Sequence, residues 1–213
     1  MSKLKISEIF FSLQGEGPLI GYPTLFIRLF GCNLNCSWCD TPYAKGNNPH
    51  KEVEISEILS FWEKNFNSLP FITITGGEPL IQNPVYNLMN AFLEKNCIVV
   101  LETNGSISLN RVPKKVIKVM DVKTPSSNMD RHNLYENFKF LGKKDAVKFV
   151  IKDEKDFEFS LDIIDKFFLT YYTQVFLSPA HPFLDPKNLA EWILKTKKPL
   201  RFQIQLHKVV GIK

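Results

Sequence analysis

Seven apolar runs, most of them closing on a polar or glycine-rich turn, constrain this 213-residue chain more than any other feature. They are TLFIRLFG, FITITGGEP, CIVVLETNG, VIKVMDVKTPSS, AVKFVI, QVFLSPAHP and RFQIQLHK. Amphipathic stretches at helical spacing stand between several of them, over 56–65, 84–95, 157–168 and 189–195. Strand-like runs alternating with such helices predict an α/β fold with a parallel sheet. The chemically distinctive residues gather just past the strands: Cys32 to Cys39, Gly76 to Pro79, Glu102 to Gly105, Asp121 to Ser127, Ser178 and His207. Function sits at that edge in α/β barrels and open parallel sheets. Six or seven strands fall short of eight. The expected fold is therefore a partial, open parallel (β/α) barrel of about six strands, one domain over residues 1–213. Residues 1–24 read as an N-terminal extension, an extra strand and a glycine-rich loop whose backbone turns sharply. RFQIQLHK reads as a last, half-solvated strand, and AKGNNPHKEV as a flexible polar loop.

Composition sets broad limits. The chain is 44% hydrophobic and 23% charged, as expected of a soluble globular protein. It has no apolar run of eighteen residues and no signal-peptide pattern at its start, so a cytoplasmic protein without membrane contact is expected. The net charge of +5 is mild and the lysines are dispersed, which argues against direct nucleic-acid binding.

Three of the four cysteines lie in GCNLNCSWCDT, with three residues between Cys32 and Cys36 and two between Cys36 and Cys39. A disulfide framework does not suit a reducing cytoplasm, so the cluster of three reads as a metal site. Zinc would need a fourth ligand, such as Cys97 or a histidine. A [4Fe–4S] cube held by three thiolates leaves one iron open for a substrate or cofactor. Cys97, in an apolar run, reads as a buried small hydrophobe.

The C-x-x-x-C-x-x-C spacing, followed by the strand-end GGEP at Gly76 to Pro79, resembles the radical S-adenosylmethionine (SAM) superfamily. The resemblance implies that the open iron chelates SAM and that one electron cleaves it to a 5′-deoxyadenosyl radical. The segment EIFFSLQGEGPLIGYPTLFIRLFGCNLNCSWCDT, with TGGEP, LETNG, DVKTPSS, KFVI, LSPA and QLHK, is similar to the 7-carboxy-7-deazaguanine synthase family over nearly the whole chain. That family, carbon–nitrogen lyases, converts 6-carboxy-5,6,7,8-tetrahydropterin to 7-carboxy-7-deazaguanine with loss of ammonia, on the way to 7-deazapurines such as queuosine in tRNA. It uses Mg²⁺ on the substrate carboxylate. A homodimer and a flavodoxin or ferredoxin as electron donor are implied as well.

Residue roles follow from the match, each beside a plainer reading. Arg28 is a strand arginine in an ion pair, or a fork for the pterin carboxylate. Gln14 and Glu16 form a polar turn, or read the pterin edge with Leu13 and Gly15. Thr41 caps a turn, or supplies an oxygen to Mg²⁺. For SAM, the resemblance implies Trp38, Cys39 and Asp40 near the cluster, Gly77 and Glu78 in the GGEP turn, and Glu102. It adds Asp121, Val122 and Lys123 at one strand end and Ser178 at another. Asp121 and Lys123 face one side of a strand and can equally bond each other. Thr75, His207 and the carboxylate of Lys213 are implied at the substrate. Asn104 stabilises a turn or reaches a ligand, and His50, His132 and His181 read as surface or structural. Three other readings compete. A glycyl-radical-enzyme activase shares the cysteine loop without needing QGEG or Arg28. A zinc-binding module would carry zinc and no iron, and a tRNA-binding modifier would bind tRNA at low salt.

Overall fold

The computed structural model describes residues 3–212. Nine strands form one sheet: β1 (Lys3–Leu13), β2 (Pro23–Leu29), β3 (Lys51–Glu54), β4 (Phe71–Gly76), β5 (Ile98–Thr103), β6 (Ile117–Val122), β7 (Ala146–Ile151), β8 (Gln174–Pro179) and β9 (Arg201–Phe202). Their order is β3-β1-β2-β4-β5-β6-β7-β8-β9. From β2 onward every pairing is parallel, while β1 runs antiparallel to both β2 and β3. The sheet is open. Its parallel part has six full strands and the two-residue β9, as the count of apolar runs implied.

Helices α1 (Ile55–Phe66), α2 (Val85–Glu94), α3 (Glu154–Lys166) and α4 (Pro186–Thr196) supply four of the crossovers. Their starts are locally encoded. Glu54 and Glu57 form a capping box on α1, Asp153 caps α3, and Asp185 with Pro186 opens α4. The crossovers from β5 to β6 and from β6 to β7 hold only short 3-10 turns.

The two-residue period of the strands sorts the interior. Ile72 and Ile74 of β4, Leu101 of β5, Val147 and Phe149 of β7 and Leu177 of β8 are fully buried in the main core, with residues of the helices. Their strand neighbours face the other way. Val100, Val119, Ala146 and Phe176 make a second, small cluster there, joined by Leu19 of the N-terminal loop. One step further along the same strands come Thr75, Glu102, Asp121, Lys148 and Ser178. The inner side of the sheet is thus apolar low down and polar at the C-terminal ends.

Two local expectations change. Lys51 to Val53 of the expected polar loop belong, with Glu54, to the edge strand β3, held by its pairing with Lys3 to Ile6 of β1. The expected last strand stops after Phe202. Gln203 N–H still bonds the Leu177 carbonyl at 2.9 Å, but the chain then leaves the sheet. It crosses to the N-terminal loop, where Gly17 N–H donates to Gln203 Oε1 at 2.6 Å and Leu206 N–H to the Gly15 carbonyl at 3.2 Å. Leu206–Val210 forms the short helix α5, so the alternation of RFQIQLHK is not a strand period.

Candidate active site

A cavity of about 400 Å³ opens at the C-terminal ends of the strands. The N-terminal loop, the cysteine loop, the ends of β2, β4, β5, β6, β7 and β8, and the C-terminal segment all contribute to its wall. This is the convergence that a row of strand-end motifs predicts.

The cysteine loop is suspended between its neighbours. Ser37 N–H donates to the Ser127 carbonyl at 3.1 Å, Asn128 Nδ2 to Ser37 Oγ at 2.6 Å, and Trp38 Nε1 to Ser126 Oγ at 3.1 Å. On the other flank Asn104 Nδ2 donates to Asn33 Oδ1 at 3.1 Å. The GGEP glycines have a steric reason. A Cβ at Gly76 would stand 2.4 Å from the Leu29 carbonyl oxygen, and one at Gly77 would stand 2.3 Å from that of Gly31 and 2.7 Å from Cys32 Cβ. Only glycine lets the end of β4 pass this close beneath the first cysteine.

Cys32, Cys36 and Cys39 are free thiols, all partly exposed and all on the cavity wall. Burial pushes the Cys36 thiol up, and Lys123 opposes that shift. Among the described residues no three His, Cys, Asp or Glu side chains are already drawn together around one point. The donor chemistry fits an iron–sulfur cluster: three soft thiols on one loop, facing one chamber. Cys97 is not a fourth partner. It is buried in the main core at the start of β5, the opposite end of the sheet from the cysteine loop. Burial raises its thiol to about 11.

A chain of charges crosses the inner wall. Lys123 Nζ bonds Asp121 Oδ2 at 2.8 Å, Asp121 Oδ1 lies 3.2 Å from Lys148 Nζ, and Lys148 Nζ also bonds Glu16 Oε2. Gln205 Nε2 donates to Glu16 Oε1 at 2.6 Å. Gln14 Nε2 donates to Thr73 Oγ1 at 3.0 Å and to Glu102 Oε1 at 3.2 Å. Burial acts to raise the Asp121 carboxyl, but Lys123 and Lys148 outweigh it and hold it low. Burial acts to lower the Lys148 ammonium, and Asp121, Glu16 and Glu102 raise it well above the ordinary lysine value. Glu102 is shifted up, first by burial and then by the charge of Glu16.

The structure brings most of the sequence-predicted residues to this cavity. Leu13, Gln14, Gly15, Glu16, Arg28 and Thr75 line it on one side, with Trp38, Asp40 and Thr41 beside the cysteines. Gly77, Glu102, Asp121, Lys123, Ser178 and His207 line it too. The imidazole of His207 packs on Gly15, where a Cβ would be 2.1 Å from Nδ1, and burial lowers its pKa. Two residues are placed elsewhere. The Glu78 carboxylate is fully buried and accepts Leu80 N–H at 3.0 Å, Asn104 N–H at 2.6 Å and the Thr103 hydroxyl at 2.9 Å. Burial pushes it up to about 7. Val122 packs in the main core, so only its backbone is left for a ligand. Lys213 lies outside the described residues.

Several cavity residues were passed over by sequence reasoning, and four of them carry charge or polar bonds at the wall. Lys148 sits in KFVI, beside Asp121 in the β6–β7 register, and the alternation of AVKFVI was the available signal. Glu8 and Tyr43 meet Arg28, and Gln205 meets Glu16. His181, read as surface or structural, is exposed on the cavity rim. Asn104 does brace a turn, with Oδ1 accepting Ser106 N–H at 2.9 Å.

The fold and this loop define a class. The chain belongs to the radical SAM superfamily, whose model matches residues 26–168. Its architecture agrees with the crystal structure of QueE from Escherichia coli, at a TM-score of 0.78 and 20% identity over 96% of this chain and 95% of that one. Within the superfamily it is a member of the 7-carboxy-7-deazaguanine synthase family. The protein of that name from Chlorobaculum tepidum is 36% identical over 97% of this chain and 94% of its own length. The one from Clostridium acetobutylicum is 37% identical over 97% and 95%.

Proposed function

We propose that this chain converts 6-carboxy-5,6,7,8-tetrahydropterin to 7-carboxy-7-deazaguanine with loss of ammonia, as a carbon–nitrogen lyase of 7-deazapurine synthesis. The observation that carries the reading is the shared cavity. The three cysteines and the charged set of Glu16, Arg28, Glu102, Asp121 and Lys148 face one chamber. Its volume, about 400 Å³, is in the range of small-molecule sites.

Cys32, Cys36 and Cys39 would hold the [4Fe–4S] cluster. Bound there, the cluster and SAM would supply one-electron radical chemistry toward the pterin. The chain's own groups orient and charge the chamber. Asp121 and Lys123, with the backbone at Gly77 and Val122, are suited to the polar groups of SAM, and Glu102 and Ser178 complete that side. Glu78 supports it from beneath through Asn104. Gln14 and Glu16 offer an amide and a carboxylate to the pterin edge, beside Leu13, Gly15, Thr75 and His207. Arg28 offers its guanidinium to the pterin carboxylate. The hydroxyl of Thr41 is a hard oxygen suited to Mg²⁺; it makes no capping bond and lies 3.9 Å from Cys39 Sγ, while Trp38, Cys39 and Asp40 beside it belong to the SAM side.

Residues 1–213 are read as one radical SAM domain. The extension over 1–24 builds part of the substrate side, because Gln14 and Glu16 bond into the wall of the barrel. A homodimer, a flavodoxin or ferredoxin as donor and a cytoplasmic setting belong to the same reading. Among the described residues no helix is long and apolar enough to cross a membrane.

The test is anaerobic. The protein is reconstituted with iron and sulfide and given SAM, Mg²⁺, a strong reductant and 6-carboxytetrahydropterin. Mass spectrometry should find 7-carboxy-7-deazaguanine only when SAM is present. 5′-Deoxyadenosine without that product would keep the radical chemistry and remove the pterin assignment.

A further inference from the structure

The register of β1 against β2 shifts between Ile6 and Glu8, leaving Ser7 as an extra residue. A bulge of this kind carries every later side chain to the opposite face. Before it, Leu4 and Ile6 are buried in the main core. A regular strand would continue Glu8 and Phe10 onto that same apolar face. Instead Glu8 and Phe10 line the cavity, and Ile9 packs against the core. One inserted residue therefore aims an acid inward.

The acid meets Arg28. Glu8 Oε1 accepts Arg28 Nε–H at 2.8 Å and the Tyr43 hydroxyl at 3.1 Å. The two charged side chains are only 15% and 17% exposed. The guanidinium carbon lies 5.5 Å from the centre of the Phe10 ring and 5.8 Å from that of Tyr43. Tyr43 belongs to the turn Pro42–Ala44, just past Thr41. The guanidinium is thus tied through Nε and flanked by two rings, between the sheet and the turn that follows the cysteine loop. An arginine fixed in advance loses less side-chain freedom when a carboxylate arrives.

We propose that Glu8 is the positioning residue for Arg28, brought inward by the Ser7 bulge, and that it sets the cavity's selectivity for a carboxylate-bearing ligand. The proposal rests on the pterin reading. Glu8 also carries a charge that opposes an incoming carboxylate, and the amide variant separates the two effects. Glu8→Gln keeps an oxygen for Arg28 Nε–H and removes the charge, whereas Glu8→Ala removes both.

The test measures dissociation constants for 6-carboxytetrahydropterin and for tetrahydropterin without the carboxylate, on cluster-loaded protein with SAM. Glu8→Ala should weaken the carboxylated ligand roughly tenfold and leave the other unchanged. Glu8→Gln should bind near the wild-type level. Adding Glu8→Ala to Arg28→Ala should cost nothing further, because a positioning residue has no effect once its target is gone. Glu8→Asp, which keeps the charge and withdraws it by one methylene, should also weaken only the carboxylated ligand and keeps the test open should Glu8→Ala not fold. Equal weakening of both ligands, or losses that add in the double variant, overturn the proposal alone. Wild-type protein that binds no carboxypterin overturns the functional reading and this proposal with it.

Discussion

Lys148 and Phe149 are neighbours on β7, and their surroundings are opposite. Phe149 is fully buried in the apolar layer between sheet and helices. Lys148 faces the chamber and joins Glu16 to Asp121. The same contrast repeats along β4, β5, β6 and β8, so the two faces of the sheet are under different physical rules. The outer face is held by area and packing, without direction. At the strand ends the inner face is held by a few directed ion pairs, each of which fixes a group at the cavity wall, above the small apolar cluster of Val100, Val119, Ala146 and Phe176. Damage to the outer face should appear as lost stability at unchanged ligand preference, and damage to the inner face as the reverse.

The largest effect lies at the inner rim. Replacing Cys36 by Ala should abolish SAM cleavage, read as 5′-deoxyadenosine, while leaving the melting of the cluster-free protein close to wild type. Cleavage at the wild-type level would place the cluster elsewhere. On the outer face Phe149→Ala should cost about 3–5 kcal/mol of unfolding free energy through the cavity it leaves. Urea titration measures that, and whatever protein remains folded should keep the wild-type pterin affinity. A shifted affinity would mean that the faces are not separable. Lys148→Met lies between. Breaking a buried pair can cost several kcal/mol, but Asp121 keeps Lys123 and Glu16 keeps Gln205, so about 2 kcal/mol is expected. Its pterin binding should fall by more than that stability loss explains, since Glu16 loses its ion-pair partner and is held by Gln205 alone.

How legible each face was follows from the same contrast. The apolar face repeats with a fixed period, so ITIT, VVLE, VKFV and FLS announce strands and their inward positions from the sequence alone. The three cysteines and the glycine pair were legible because few other structures need that pattern. Lys148 was harder, since a single lysine in a strand looks the same whether it faces water or a chamber. Its partners come from residues 16 and 121, and only the barrel brings them together. The Ser7 bulge has no local signature, and the alternation read straight through it would turn Glu8 the wrong way. The C-terminal RFQIQLHK alternates as a strand should. Only β8 pairs with its start, and bonds to Gly15 and Gly17 take the chain across instead.

Glu78 offers the finest test of the contrast, because it is a charged group buried on neither rule alone. It is fully buried, which pushes its carboxyl up to about 7, against the pull of the Leu80 and Asn104 amides and the Thr103 hydroxyl. In the unfolded chain a glutamate titrates near the ordinary value of about 4.3. Between those two values the folded state holds a proton that the unfolded state has lost. The favourable contribution is therefore complete below the unfolded value and disappears as pH rises through about 7. Glu78→Gln cannot titrate, so the stability of wild-type protein relative to this variant should fall by about 2 kcal/mol from mildly acidic pH to about pH 8. Melting of the cluster-free proteins across that range measures it. A difference that stays flat with pH would show that the three donors keep Glu78 ionised in the fold. The brace under Asn104 would then belong with the directed pairs of the inner face rather than with the apolar layer.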